Sequence, residues 1–221
     1  MTFDLPGRFK DRYDAARKLL AKLTGLSDFR PAKLARPQGK TSGKLVIMAI
    51  PRGALELGYF LSRELKSPLD VALVKKVAAL SAPELALGAV ALDGEWVGSD
   101  EKNLEEQKNI QLVNLQQREK MFHARVPALA LREKTILLVD DGIATGLTIR
   151  AAIEWLRHKK VKKIIVATPV ASTQAAEEIK KIADQFVTLR VESPFYAVGL
   201  YYERFPQVSD EEAARLLEKS R

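Results

Sequence analysis

The chain has 221 residues, 47% of them hydrophobic and 29% charged, with a formal net charge of +8. That length and composition suit one globular domain with a sizeable core, and the absence of cysteine excludes a disulfide framework, a thiolate metal site and a thiol nucleophile. Two histidines are too few for a histidine-rich metal centre, and no apolar run approaches the roughly 20 residues of a membrane-spanning helix.

The charged start "MTFDLPGRFKDRYDAARKLL" lacks the apolar core of a signal peptide, so a soluble, cytoplasmic protein is expected. Within it, "RYDAARKLLAKL" places apolar residues at 13, 16, 19, 20 and 23, which is helical spacing. Pro, Gly, Ser and Thr punctuate a loop over 30–44. "LVIMAI" (45–50) has the length and all-apolar character of a parallel strand buried on both faces, and "PRGALELGYFLSREL" (51–65) turns from it into a helix. "LDVALVKKV" (69–77) predicts a second strand. Gly88, Gly94 and Gly98 divide residues 78–98 into a loop and a hairpin. "SDEKNLEEQKNIQLVNLQQREKMF" (99–122) predicts a long, charge-rich helix behind a Ser/Asp cap.

From there the alternation is regular. Strands at 135–139, 163–168 and 185–190 are separated by helices at about 146–158 and 172–183, the pattern of βαβ crossovers. An aromatic-rich stretch, "SPFYAVGLYYERF" (193–205), and a capped C-terminal helix complete the chain. The expected fold is a doubly wound α/β domain with a mostly parallel sheet and helices on both faces. His123 and His158 fall on predicted helices and read as structural or solvent-facing, and Trp96 and Trp155 as packing residues. The positive charge suits nucleic acid, phosphorylated metabolites or plain solubility. Its one modest cluster, "RHKKVKK" (157–163), reads as a solvated helix end.

The strand at 135–139 runs into two adjacent aspartates and a loop of small residues: "ILLVDDGIATGLT". Ligands of open parallel sheets bind at the carboxyl ends of strands, near the switch in strand order. Small residues leading into a helix N-terminus let backbone N–H groups approach an anion, with the Thr145 and Thr148 hydroxyls beside them. Vicinal sugar hydroxyls would suit the two carboxylates, and a divalent cation could screen them. The loop is neither a Walker loop nor GxGxxG. A bare "DDG" would mark no more than an acidic strand end capping a helix.

The whole stretch resembles the PRPP-binding motif of type I phosphoribosyltransferases: four hydrophobic residues, two acids, then a small-residue and threonine loop. The resemblance implies that Asp140 and Asp141 hold the ribose hydroxyls of PRPP. It also implies that Gly142, Ile143, Ala144, Thr145, Gly146, Leu147 and Thr148 bind its 5′-phosphate. "AIPRGALELG" (49–58) resembles the family's pyrophosphate loop. It makes Pro51–Arg52 the candidate for a non-proline cis peptide and Pro51, Arg52 and Gly53 pyrophosphate ligands. "VALVKKV" (71–77) resembles the strand that carries an Arg-Lys pair in many relatives. Here the pair is Lys75-Lys76, which keeps the charge but loses the planar fork at the first position.

Further implications concern the additions to the core. Residues 78–98, with Glu84, correspond to a mobile loop and hairpin that close over the reaction. "SPFYAVGLYYERF" corresponds to a base-binding hood in which Phe195, Tyr196, Tyr201 and Tyr202 would stack on an acceptor, packing of the same rings being the alternative. "DRYDAARKLL", "PELALGAV" and "PFYAVGLYYERFPQVSDEE" also resemble a set of small bacterial predicted phosphoribosyltransferases. The expected domain is therefore 1–221, with a core of about 45–77 and 133–191, an insertion of about 78–124, and a hood from N-terminal residues and about 192–208.

The implied reaction transfers 5-phosphoribosyl from PRPP to a nitrogenous, base-like acceptor. Mg²⁺ would be carried on PRPP near Asp140 and Asp141, with Lys76 and Arg52 beside the departing pyrophosphate. The alternative is a regulator on the same scaffold that senses PRPP or a nucleotide and meets nucleic acid through its basic surface. A homodimer is allowed but not required.

Overall fold

A computed structural model describes residues 7–26, 45–79, 82–98 and 104–221. Five parallel strands form the main sheet: β1 (Leu45–Ala49), β2 (Leu69–Val71), β6 (Thr135–Val139), β7 (Lys163–Ser172) and β8 (Gln185–Glu192), in spatial order β2-β1-β6-β7-β8. The chain builds from β1 outward to β2, returns, and then builds from β6 in the opposite direction. The switch point is therefore between β1 and β6, which pair from Leu45↔Thr135 to Ala49↔Val139.

Strand residues alternate between two apolar layers, because successive side chains leave a strand on opposite faces. Ile47, Ala49, Leu137, Val139, Ile165 and Ala167 pack with residues of α1 (Arg12–Thr24), α2 (Ala54–Leu65) and α6 (Asp210–Lys219). Val46, Met48, Ile136, Leu138, Ile164 and Val166 pack with α4 (Leu147–His158) and α5 (Thr173–Ile182). Burial on both faces is why these strands read as continuous apolar runs.

One predicted strand divides in two. "LDVALVKKV" supplies β2 to the main sheet. After Ala72, whose amide still donates to Ala49 O, the chain leaves that sheet and starts β3 (Val74–Ala79) in another. β3, β4 (Ala82–Ala91) and β5 (Trp96–Gly98) make an antiparallel three-stranded sheet, with register shifts after Val77 and Ala78. The insertion thus begins near residue 74, not 78, and carries Lys75 and Lys76 away from the core. The long helix α3 (Glu105–Phe122) follows it and packs on β3 and β4. The predicted start of that helix, 99–103, lies outside the described residues, as does the 30–44 loop.

The histidines and tryptophans have structural surroundings. His158 lies 3.0 Å from Glu95, Trp155 is buried, and Trp96 packs beside Gly88. His123, at the end of α3, directs Nε2 to Asp70 Oδ1 at 2.9 Å. Asp70 is 3% exposed and also accepts from the amides of Val71 and Leu129, at 2.9 and 2.7 Å, with the Arg221 guanidinium 3.4 Å away. One buried carboxylate thereby joins β2, the end of α3, the following loop and the C-terminus. Replacing Asp70 by Ala strands buried donors and is expected to cost about 3 kcal/mol, roughly 6–12 °C in Tm, measurable by thermal unfolding.

Candidate active site

β6 delivers Asp140 and Asp141 to the switch point, and β1 delivers Pro51, Arg52 and Gly53 beside them. The Pro51–Arg52 peptide is cis. A β-carbon on Gly53 would lie 2.2 Å from Asp141 Oδ2 and 2.7 Å from an Arg12 nitrogen, so only glycine admits this approach.

Arg12 opens α1 behind the N-cap Asp11, whose side chain accepts from the Asp14 amide. It is 4% exposed. Its Nε donates to Asp141 Oδ2 at 2.7 Å, and its Nη1 donates both to Glu56 Oε2 at 3.1 Å and to Pro206 O at 2.8 Å. The guanidinium carbon sits 3.8 Å from the centre of the Phe205 ring. Tyr202 donates its hydroxyl to Asp141 O at 2.6 Å; burial, then the charge of Asp141, keeps that hydroxyl protonated.

Burial raises the proton affinity of both aspartates. For Asp140 the charge of Asp141 adds to the effect, while its hydrogen bond from the Asp141 amide and the charge of Lys76 oppose it. For Asp141 the Arg12 guanidinium is the main opposing influence. Burial also raises Glu56, again against Arg12.

The following loop is pinned on one side only. Ile143 exchanges backbone hydrogen bonds with Val170 and Ser172, and Ser172 Oγ donates to Ala144 O at 2.6 Å. The amides of Ala144, Thr145, Gly146, Leu147 and Thr148 have no acceptor among the described residues, which leaves a run of donors at the start of α4. Gly146 has φ +75°, a left-handed conformation that turns the loop into the helix. At Gly142 the constraint is space: a β-carbon there would meet the Val198 side chain at 2.3 Å.

A cleft of about 870 Å³ opens in front of Asp141. Arg12, Pro51, Arg52, Gly53 and Lys75 line one side; Asn114, Gln117 and Arg118 of α3, with Phe205 and Asp210, line another. Lys75 and Lys76 leave opposite faces of β3. Lys75 faces the cleft, its proton affinity lowered by burial and by the charges of Arg118 and Arg52, whereas the charge of Lys76 reaches Asp140.

The aromatic segment is arranged differently from a stacking hood. Tyr201 and Tyr202 are 2% and 1% exposed, which leaves neither ring a free face for an acceptor. Phe195 stacks on Tyr201 at 5.1 Å, and Tyr196 is exposed but outside the cleft. These tyrosines are held because Phe9 of the N-terminal segment pairs with Tyr202 through backbone bonds from Phe9 N to Tyr201 O and from Glu203 N to Phe9 O. The aromatic ring lining the cleft is Phe205. The Glu84 side chain lies outside what is described. Sequence reasoning missed Arg12, Glu56, Arg118 and Asp210. Arg12 had one available signal, a cation in the first turn of a helix, where the dipole disfavours it.

A parallel sheet of this order, with its polar loops gathered at the switch point, defines a doubly wound α/β domain. Among such domains the chain belongs to the phosphoribosyl transferase domain family, which it matches over residues 13–203. Two Mycobacterium tuberculosis proteins, from strains H37Rv and CDC 1551, carry the provisional names phosphoribosyl transferase Rv0571c and MT0597. Each is 32% identical to it over 221 residues, covering 96% of this chain and 47% of theirs. The chain thus spans about half the length of these curated relatives. The crystal structure of TT1426 from Thermus thermophilus superposes with a TM-score of 0.77 at 34% identity, covering 96% of this chain and 98% of that one.

Gly53→Ala forces a methyl group into the contact between Arg12 and Asp141. It is expected to lower stability by about 1–3 kcal/mol in a thermal melt. Asp140→Asn should act in the opposite direction. A carboxyl whose folded pKa is raised stabilises fully below its ordinary pKa, and that contribution disappears as pH rises through the folded value. The variant keeps the acceptor for the Asp141 amide and removes the repulsion. Its Tm should therefore exceed the parent's at pH 7, at about 2–4 °C per kcal/mol, and the gain should vanish toward pH 4.

Proposed function

We propose that the protein transfers 5-phosphoribosyl from PRPP to a nitrogenous acceptor and releases pyrophosphate. The observation that carries this reading is the Asp140–Asp141 pair at the switch point, flanked by the unpaired amides of 144–148 and faced by the Pro51–Gly53 turn. A sugar with two hydroxyls and a terminal phosphate matches that order of acceptors and donors. Membership of the family supports the same chemistry.

In the reaction the bond from C1′ to the pyrophosphate oxygen breaks with its electron pair, and the acceptor nitrogen forms the new bond to C1′, losing a proton. The transition state has positive charge near the ribose ring and negative charge on the leaving group. Asp140 and Asp141 accept hydrogen bonds from the ribose hydroxyls and oppose the first charge. Arg52 and Lys75 oppose the second, whereas Lys76, on the other face of β3, acts through its charge on Asp140. The amides of 144–148, with the Thr145 and Thr148 hydroxyls, anchor the 5′-phosphate. No group of three or more potential metal ligands occurs among the described residues, and Asp141 is already engaged by Arg12. This donor set fits Mg²⁺ that arrives on the substrate's phosphates and takes at most one or two carboxylates. Bound there, Mg²⁺ would neutralise charge on the departing pyrophosphate.

The basic stretch 157–163 lends little weight to a nucleic-acid partner. Arg157 pairs with Asp184 at 2.9 Å, His158 with Glu95 at 3.0 Å and Lys159 with Asp93 at 3.4 Å.

Pyrophosphate release from Mg-PRPP, measured across purine, pyrimidine and other amine acceptors, tests the reaction. Turnover with at least one acceptor is expected. Asp140→Asn combined with Asp141→Asn should weaken PRPP binding by about a hundredfold, the loss of two charge-assisted hydrogen bonds. Unchanged PRPP affinity in that variant would sink the reading; tight PRPP binding without turnover on any acceptor would favour a regulator.

A further inference from the structure

We infer that Arg118, on α3, is an additional cation of the leaving-group subsite, and that Asp210 holds it in check until pyrophosphate is present. The inference rests on the proposed transfer reaction and adds a residue from the insertion to it.

Arg118 lines the same cleft as Arg52, Lys75 and Asp141. It sits one helical turn from Asn114 and beside Gln117, so a single face of α3 presents all three polar side chains to that space. α3 packs on the strand that carries Lys75, so the two cations approach from adjoining surfaces. After burial, the charges of Arg118 and Arg52 are what depress the proton affinity of Lys75. Three cations thus converge where, among the described residues, the one carboxylate in direct contact with any of them is Asp210, from Arg118 Nη2 to Asp210 Oδ1 at 2.5 Å, its charge also reaching Lys75. That contact uses one of the five N–H groups of the guanidinium, and no other hydrogen bond of Arg118 is present among the described residues.

Such a cluster suits a ligand with several negative charges and closely spaced oxygens, and a guanidinium fork fits phosphate oxygens bidentately. Asp210 competes for the same donors. It opens α6, and its side chain is 31% exposed, so water can solvate it once Arg118 turns away. In the alternative account the pair merely straps α3 to α6. The two accounts differ in sign: a competitor's removal strengthens anion binding, whereas a strap's removal does not.

The test is calorimetric titration of the whole chain with magnesium pyrophosphate at fixed salt, with thermal melts to confirm folding. Arg118→Gln is expected to weaken binding about tenfold or more, the value of a charge-assisted hydrogen bond. Asp210→Asn is expected to tighten it severalfold, and the double variant to bind like Arg118→Gln alone. Arg118→Lys, which keeps the charge without the fork, should fall between. If Asp210→Asn weakens binding or leaves it unchanged, the inference is overturned in favour of the strap. If Arg118→Gln binds like the parent while Arg52→Ala binds poorly, the inference falls and the reaction stands. Failure of the parent protein to bind magnesium pyrophosphate would overturn both.

Discussion

Two adjacent carboxylates at the end of a buried strand repel each other and lose hydration, and the contact between Arg12 and Asp141 makes their burial tolerable. The guanidinium does more than neutralise a charge. It spends separate donors on Asp141, Glu56 and the Pro206 carbonyl while its face covers Phe205. Helix α1, helix α2, the loop after β6 and the C-terminal segment therefore meet at one planar group. Removal of it would leave two partly buried acids facing each other, the circumstance in which a broken ion pair is most damaging. Gly53 is part of the same arrangement, because any side chain there would occupy the space in which the pair forms.

Beyond this junction, further cations reach the cleft from a structural unit other than the main sheet. The main parallel sheet holds the acids and the amide-rich loop, and its apolar layers on both faces fix their positions. Lys75, Lys76 and Arg118 are carried by the three-stranded sheet and by α3, with the Pro51–Gly53 turn supplying Arg52 from the core. A substrate whose ribose faces the acids and whose diphosphate faces the cations would bridge these units.

The main sheet was legible because its strands are buried on both faces, and "LVIMAI", "TILLV" and "IIVAT" leave little choice of element. The doubled aspartate was legible because strand end, acids and small-residue loop are contiguous. Contacts made over long sequence separations were not. Arg12 lies 129 residues from Asp141, and nothing local to "DRYDAARKLL" names its partners. Asp70 looked like an ordinary polar position in a strand, yet it binds groups 53 and 59 residues away. The break between β2 and β3 was hidden because Ala72 and Leu73 are as apolar as their neighbours, and only the choice of pairing partner divides them. For Tyr201 and Tyr202 the sequence left stacking and packing both open, and their burial depends on the pairing of Phe9 with Tyr202, which no local signal gives.

The pairing of Phe9 with Tyr202 also governs how the protein comes into being. Arg12 and Pro206 are 194 residues apart, and Phe9 must find Tyr202 across a similar span. During synthesis the strands of the main sheet can associate as they emerge, but α1 has to wait for the segment around Pro206 before its arginine is fully enclosed. Contacts of such separation form late, because the entropy of closing the intervening chain must first be overcome. The full enclosure of Arg12 beside the acidic pair thus belongs to the late, entropically costly part of folding.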